Sequence, residues 1–594
     1  MKMKKRRTGY YILSALVLLV MLAVLELNKN TLWGFALTLA ATAVFHLARG
    51  SGKLCAHWYG RLACRVGWIA VFFGILLLTW PPVKAVPATE GKNPARTQTV
   101  QVAQGALQGV LTGDGEVEIY AGIPYAKPPV GELRWAEPQD CEPWEGVLQA
   151  DTFAPMSMQP TNLPIYDSLA QIIGYHDYRI SLSDNFVAPV SEDSLYLNIW
   201  KPAGEAEGLP VYVFIHGGSL QTGQPWYADY SGEGLAREGV IVVNMGYRLG
   251  VFGYFADAEL AAESPNGTTG NYGLLDQIKA LEWVRNNITA FGGDPENVTL
   301  AGESAGSAAV SALCASPLAE GLFERVVLES STVVSIEPPH SFRLMDDALD
   351  SGAELKARYG CKSVAELRAL DAKTLVGEAS TQHHMTVDGY ALTQTPYEAY
   401  RNGKNNEKAI IHGYNSRESG PFILFSQASM KDFEQRVHRV FGEYADEVLA
   451  IYPAETDEQA RAYWAEIYGA MFFDYPHYCL NRLAAGRGIP VYEYYFSRDN
   501  GRLGAWHSGE EVYFYGNIPA DSKLYDARDR ELSRQMLLYL RNFAAGGDPN
   551  GDGLPRWEQN GDSASLMGFG DTTGMIPERE HELFAVMDRM YGWG

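Results

Sequence analysis

Cysteine is scarce in this chain, with six in 594 residues. No two of the six have the close spacing of a zinc or redox motif, so neither a metal site nor a disulfide scaffold is expected, and no cofactor is predicted. The sequence leaves open whether four of them are reduced or form one or two bridges: Cys141, Cys314, Cys361 and Cys479.

Positive charge is also in short supply, because 48 Lys and Arg face 71 Asp and Glu, for a net charge of -23. Proteins that bind nucleic acids take much of their affinity from basic side chains that meet phosphates, so this balance argues against that class. The acidity suits an exposed, soluble domain. Hydrophobic residues at 46% and charged residues at 20% are ordinary for a folded protein.

Long apolar runs are present, and all three lie near the N-terminus, at about 10–27, 32–48 and 66–83. Each is close to the length that a helix needs to cross a hydrocarbon core of about 30 Å. A cleaved signal peptide would account for the first run but not for the other two. The sequence therefore predicts a transmembrane region over 1–86, a linker over 87–97 and a folded domain over 98–594.

Basic residues around these runs predict an orientation. The N-terminus and the segment after the second run are rich in Lys and Arg, whereas the segment between the first two runs carries only Lys29. The positive-inside rule then places the N-terminus in the cytoplasm and everything after the third helix outside. We expect a multi-pass protein of the cell membrane with an extracellular or periplasmic domain.

The folded domain alternates strand and helix patterns. Short apolar runs at 211–215, 240–243 and 298–300 are typical of strands covered on both faces, and 274–287 has helical spacing. This alternation predicts a mainly parallel sheet with helices on both faces. Such sheets carry their chemistry in loops at the carboxyl ends of the strands.

A nucleophile motif follows one of these strands, because residues 302–306 read GESAG. The strand before it and the Ala-rich helical stretch after it are the context that G-x-S-x-G requires, with Ser304 on a tight turn above the sheet. We expect glycine at 302 and 306 because a side chain there would collide with neighbouring backbone. The pattern predicts Ser304 as a nucleophile.

A glycine loop, residues 216–219 with the sequence HGGS, follows the strand at 211–215. Such a loop upstream of a nucleophile elbow supplies backbone N–H groups for an oxyanion hole. The Ala305 N–H is a further donor, and each donor lowers the barrier by a few kcal/mol.

The chain at this point resembles the type-B carboxylesterase/lipase family, the cholinesterase-like branch of the α/β-hydrolases. The resemblance covers about 98–594 and rests on ordered blocks: GIPYA at 122–126, EDSLYLNIW at 192–200, NYGLLDQ at 271–277 and FGGDP at 291–295. It implies an α/β-hydrolase fold, here preceded by about three transmembrane helices.

The resemblance also implies the rest of the site. The family's acid lies in a segment like 413–418, which makes Glu418 the acidic residue, and its histidine matches His507. The order Ser, Glu, His agrees with this fold. In such a triad His507 is the general base and Glu418 orients it. The family's oxyanion donors match the N–H groups of Gly218 and Ser219.

Two departures from the family bear on function. A family disulfide is absent, because its two positions are occupied by Ser157 and Ser194. Residues 157–194 also contain no tryptophan, although cholinesterases carry in this loop the tryptophan whose face binds quaternary ammonium. A choline substrate is therefore disfavoured.

The sequence thus predicts a serine carboxylic-ester hydrolase that acts through an acyl-enzyme on small neutral acyl or aryl esters outside the membrane. Its partners would be an ester substrate and membrane lipid, with no nucleic acid and the protein partner unknown. The alternative is a catalytically silent cholinesterase-like ectodomain that binds a partner protein. Esterase and lipase activity are not distinguished.

Overall fold

The structure, a computed structural model, describes residues 2–50, 57–84, 86, 88–91, 93–161, 163–173, 180, 188–377, 384–424, 426, 429–499, 504–560, 565–577 and 582–593. The chain forms two compact units. The first, which we call the N-terminal unit, comprises Met1–Ala85 and Thr161–Pro189. The second, the main unit, comprises Val86–Pro160 and Val190–Gly594.

The N-terminal unit contains three long apolar helices, α1 (Lys2–Leu27), α2 (Leu32–Gly50) and α3 (Trp58–Leu78). Each is long and apolar enough to cross a membrane. The third helix begins before the predicted 66–83 and ends earlier, so Arg61 and Arg65 lie in its first turns. Hydropathy marks the apolar part of a helix, whereas the hydrogen-bonded helix also includes the flanking basic residues.

A buried polar network joins the α1–α2 connection to the end of α3. Asn28 Nδ2 donates to Asn30 Oδ1 at 2.8 Å, and Asn30 Nδ2 donates to Thr79 Oγ1 at 3.0 Å and to the Leu76 carbonyl at 2.8 Å. Because a buried polar group is costly without a partner, this network accounts for the polar break between the first two apolar runs.

The N-terminal unit also holds one helix from later in the chain, α4 (Pro164–Ile173), which packs against α1.

The main unit is built on an 11-stranded sheet. Its middle strands are parallel and are, in order across the sheet, β17 (Ser565–Phe569), β16 (Val491–Phe496), β15 (Ile410–Asn415), β12 (Arg325–Glu329), β11 (Gly293–Glu303), β9 (Leu209–Ile215) and β10 (Ile241–Met245). Antiparallel strands close both edges. The predicted mainly parallel sheet is therefore confirmed. Every residue of β10 and β15 is buried, which shows that both faces of the sheet are covered.

The strands of the main unit have the following bounds: β1 Val100–Val102, β2 Gly105–Gln108, β3 Val110–Leu111, β4 Val117–Pro124, β5 Val147–Gln149, β6 Met156–Ser157, β7 Val190–Ser191, β8 Tyr196–Pro202, β9 Leu209–Ile215, β10 Ile241–Met245, β11 Gly293–Glu303, β12 Arg325–Glu329, β13 Phe342–Arg343, β14 Met385–Thr386, β15 Ile410–Asn415, β16 Val491–Phe496, β17 Ser565–Phe569 and β18 Thr573–Pro577.

Its α-helices are α5 Glu233–Arg237, α6 Gly250–Tyr254, α7 Ala258–Glu263, α8 Tyr272–Asn287, α9 Ala305–Cys314, α10 Met345–Arg358, α11 Val364–Arg368, α12 Ala372–Val376, α13 Pro396–Asn402, α14 Gly420–Ile423, α15 Met430–Phe441, α16 Ala445–Ile451, α17 Asp457–Gly469, α18 Tyr475–Ala485, α19 Glu511–Phe514, α20 Ala527–Gly546 and α21 Glu582–Tyr591. A π-helical turn, Ala470–Asp474, joins α17 to α18.

Candidate active site

The turn between β11 and α9 holds Ser304 in a strained conformation, with φ 55° and ψ -127°. A positive φ is uncommon for a residue with a side chain. The glycines on either side are sterically required: a Cβ at Gly302 would lie 2.5 Å from the Gly306 carbonyl carbon, and one at Gly306 would lie 2.0 Å from the Ile215 carbonyl oxygen. The expected collision at both glycines is confirmed.

The structure brings the three predicted triad residues into one hydrogen-bonded chain. His507 Nε2 lies 2.8 Å from Ser304 Oγ, and His507 Nδ1 lies 2.6 Å from Glu418 Oε2. His507 and Glu418 are buried, whereas Ser304 is half-buried and open to a substrate. With a proton on Nδ1 donated to Glu418, Nε2 accepts the Ser304 hydroxyl, which is the arrangement a general base requires.

Glu418 follows the carboxyl end of β15 and is held by the backbone of that strand. The Asn415 N–H donates to Glu418 Oε1 at 2.7 Å, which leaves Oε2 for His507. Ser419, where the family usually has glycine, has φ -66°, so this turn does not require a left-handed residue. Burial raises the pKa of Glu418 to about 8, and the Asn415 hydrogen bond opposes the rise.

The predicted oxyanion loop adjoins the nucleophile. A Cβ at Gly217 would lie 2.9 Å from Ser304 Cβ, so the backbone after β9 runs directly beside the serine. The loop then turns through positive φ at Gly218 (107°), Ser219 (58°) and Leu220 (57°). Ser304 is thus flanked on one side by the loop with the predicted donors Gly218 and Ser219. On the other side lies Ala305, the first residue of α9 and the third predicted donor.

Two buried carboxylates that the sequence did not single out surround the triad. Glu303 Oε1 lies 3.3 Å from His507 Nε2 and accepts from Ser508 Oγ at 2.7 Å. On the other side, Glu510 Oε1 accepts from Ser330 Oγ at 2.7 Å, and Asn415 also donates to Glu510.

Burial raises the pKa of both carboxyls to about 7. The positive charge of His507 opposes the rise at Glu303, and repulsion by Glu418 adds to it at Glu510. The motif G-x-S-x-G leaves the residue at 303 unspecified, and the sequence alone does not show that a glutamate is buried. Glu303 was therefore not predicted as a site residue. Several carboxyls that share a low-dielectric site favour one another's protonated forms.

Aromatic rings form one wall of the site. The rings of Phe422 and Phe473 have centroids 5.1 and 4.8 Å from that of His507, and 5.7 Å from each other. Phe473 belongs to the π-helical turn, in which Phe472 stacks on Tyr468 at 4.3 Å. π-Helical turns are rare and often occur at functional sites.

Comparison with known proteins agrees with this geometry. A model of the carboxylesterase family matches residues 96–579. The chain belongs to the carboxylesterase family. A relative named fumonisin B1 esterase, from Sphingopyxis macrogoltabida, is 31% identical to this carboxylesterase over 562 residues, which cover 89% of this chain and 97% of the relative.

Two vertebrate relatives are similar in sequence to this carboxylesterase over most of its length. A medium-chain fatty acyl-CoA hydrolase precursor of Anas platyrhynchos is 33% identical over 520 residues, which cover 80% of this chain and 89% of the relative. Carboxylesterase 1C of Rattus norvegicus is 32% identical over 494 residues, covering 77% and 86%. This carboxylesterase hydrolyses carboxylic esters, and nothing in the site favours the silent ectodomain.

The two positions where the family has a disulfide lie next to each other in this carboxylesterase. Ser157 Oγ donates to the Tyr247 carbonyl oxygen at 2.6 Å and lies at hydrogen-bond distance, 2.9 Å, from Ser194 Oγ. A hydrogen bond therefore occupies the place of the covalent link. The question of other bridges is answered as well, because the thiols are free at Cys141, Cys314, Cys361 and Cys479.

Proposed function

We propose that Ser304, His507 and Glu418 hydrolyse esters through an acyl-enzyme. The observation that carries this proposal is the hydrogen-bonded chain Ser304–His507–Glu418. Ser304 Oγ attacks the ester carbonyl carbon while its proton passes to His507 Nε2. His507 then returns that proton to the alcohol as the bond between the carbonyl carbon and the alcohol oxygen breaks, which leaves the acyl group on Ser304 Oγ. A water molecule, deprotonated by His507, attacks the acyl carbon; the bond to Ser304 Oγ breaks, Oγ takes the proton back from His507, and the acid is released. The imidazolium formed in each step favours ionised Glu418.

The oxyanion of each tetrahedral intermediate is assigned to the N–H groups of Gly218, Ser219 and Ala305. Support comes from the contact between the Gly217 backbone and Ser304 and from the position of Ala305 at the start of α9. The first N–H groups of a helix lack partners within it, so they can serve a developing negative charge.

The proposed substrates are small neutral acyl or aryl esters. The aromatic wall of Phe422 and Phe473 offers apolar contact beside the proton-transferring nitrogen, at the place where a leaving alcohol departs.

The proposed location is the cell membrane, with α1, α2 and α3 as spans, the N-terminus in the cytoplasm and the main unit outside. Basic residues at the start of α1, at the end of α2 and in the first turns of α3 support this orientation. Fusing a phosphatase that folds only outside, and separately a fluorescent protein that folds only inside, to the C-terminus tests it. An active phosphatase and a dark fluorescent protein are expected, and the reverse pattern would refute the orientation.

Hydrolysis of p-nitrophenyl esters from acetate to palmitate by the full-length protein tests the enzymatic proposal. We expect turnover of the short esters that is lost in Ser304→Ala and kept in the control Ser351→Ala, which alters a half-buried serine of α10 that donates to the Asp347 carbonyl of its own helix. A rate unchanged in Ser304→Ala would exclude the proposed nucleophile. A preference for palmitate would replace the small-ester proposal with a lipase.

A further inference from the structure

Helix α4 exposes an unusually apolar surface for a helix outside the three long apolar ones. Leu163, just before the helix, is 46% exposed, Tyr166 is 61% exposed, and Leu169 and Ile173 are each 40% exposed. Residues three and four positions apart share one side of a helix, so Tyr166, Leu169 and Ile173 form one continuous stripe.

The other sides of α4 differ in character. Pro164 and Ser168 are buried and form the side that packs within the unit. Asp167 and Gln171 lie four residues apart and form an exposed polar side. A short helix with one packed, one apolar and one polar side has the pattern of a helix that lies in the plane of a membrane surface.

In the sequence, α4 lies between two strands of the main unit, β6 and β7. The strands β6 and β7 pair in parallel, and the hydrogen bond between Ser157 and Ser194 lies beside this pair. Both ends of the chain segment that contains α4 are thus held at one place in the main unit, whereas α4 belongs to the N-terminal unit and packs against α1.

We propose that α4 is an interfacial helix whose apolar stripe inserts into the outer leaflet of the lipid bilayer. The inference rests on the proposed orientation, because a segment of the chain after α3 can reach only the outer surface. Lipid is the occupant to which the structure points, since α4 packs on α1, whose exposed side chains, such as Leu16 (54% exposed), are themselves of the lipid-facing kind. The stripe thus belongs to the same unit as the exposed apolar side chains of α1, which the proposed membrane span places in lipid.

Photo-cross-linking in vesicles tests this. The full-length protein is reconstituted in phosphatidylcholine vesicles that contain a minority of phosphatidylglycerol, with p-benzoylphenylalanine in place of Leu169 or, in a matched control, Gln171 on the polar side. The yield of lipid adducts at 169 should exceed that at 171 on the order of tenfold, as for a buried apolar side against a hydrated one. Hydrolysis of p-nitrophenyl acetate by each variant verifies folding.

Two further positions keep the outcomes distinct. The same probe at Leu16 of α1 reports on the membrane span itself, and at Leu344, a 64% exposed leucine of the main unit, on chance contact with lipid. Adducts at 16 with equal yields at 169, 171 and 344 would overturn the interfacial helix and leave the anchor intact. Missing adducts at 16 would refute the membrane span of α1 and with it the interfacial helix, and cross-links between two protein copies at 169 would replace lipid with a second copy.

Discussion

Glu418 contacts the reaction only through His507, and both of its oxygens are engaged. Oε1 accepts from the Asn415 N–H and Oε2 from the imidazole. A glutamine in its place would keep the size of the side chain but present a neutral amide to Nδ1. It would then neither hold the imidazole in the required tautomer nor stabilise the imidazolium.

We therefore expect Glu418→Gln to lower kcat by about 10³- to 10⁴-fold, with a small change in KM, because loss of the orienting acid affects the transition state. Steady-state hydrolysis of p-nitrophenyl acetate measures this, and Glu447→Gln, at an exposed glutamate of α16, is the control. A loss below tenfold would mean that Glu418 is not the acid that orients His507.

Glu303 influences His507 from the side of the nucleophile. Its carboxyl, with a pKa raised to about 7 by burial, becomes negative as the pH rises and then favours the imidazolium 3.3 Å away. Removing this charge makes the neutral base available at lower pH. The acid limb of kcat/KM in Glu303→Gln should therefore shift down by about half a pH unit to one unit.

A pH–rate profile of each variant checks this expectation. Glu329→Gln is the matched control, because Glu329 is equally buried but accepts from Tyr515 at 2.7 Å. An acid limb that stays in place in Glu303→Gln, or that shifts equally in Glu329→Gln, would contradict the direct effect of Glu303 on His507.

At the residue scale the sequence predicted which residues meet, but not the environment in which they meet. Ser304 and the loop at 216–219 follow from glycine-containing motifs whose backbone demands are local, and the structure reproduces those demands at Gly302 and Gly306. Glu418 and His507 came from family resemblance. Glu303 and Glu510 were missed because their importance lies in burial, which depends on packing between distant segments.

At the element scale, the strand pair β6–β7 joins the two ends of the chain segment that contains α4. The hydrogen bond between two serines lies beside this pair. Ser157 and Ser194 have their hydroxyl oxygens 2.9 Å apart. Replacing both by cysteine should give a disulfide on oxidation, and closing a loop of this length should stabilise the protein by about 2–4 kcal/mol.

Thermal inactivation of the oxidised and reduced double variant measures this effect, with Ser157→Cys alone as the control. The midpoint should rise only in the oxidised double variant, and gel mobility without reductant should show the bond. A double variant that stays reduced under oxidising conditions would mean that the two backbones do not approach as the hydrogen bond implies.

Elements with a periodic pattern were predicted, and those created by packing were not. The sequence marks strands β9, β10 and β11 by short apolar runs and helix α8 by the helical spacing of its apolar residues. The helix α4 has only ten residues and too short a pattern to stand out. The π-helical turn was not predicted, since no residue pattern in the sequence marked it.

At the scale of the whole molecule, the N-terminal unit is built from two separate stretches of the chain, because Thr161–Pro189 groups with the N-terminal helices. The sequence predicted a break near residue 86 and a continuous domain after 98; that division stays a prediction, and the structure adds a later segment to the first unit. Contacts between segments more than a hundred residues apart have no local signature.

Removal of residues 1–85 should therefore leave Ser304-dependent hydrolysis of p-nitrophenyl acetate intact but make the protein self-associate. Without α1, the apolar surface of α4 grows, and exposed apolar patches promote association. Light scattering after detergent removal measures this, and Leu169→Gln with Ile173→Gln in the same truncated chain should restore a monomer. A truncated chain that stays monomeric without these changes would refute the expectation.

The π-helical turn Ala470–Asp474 holds one residue more than an α-helical path through the same space requires. Deleting a single residue there would restore ordinary winding and rotate the ring of Phe473 by about 100° relative to α18, away from His507. The residues that make and break the ester bond would be untouched. The deletion would open the aromatic wall beside the leaving alcohol. Substrate selectivity in this enzyme can therefore change through the loss of one residue in a helix, without any change in the catalytic residues.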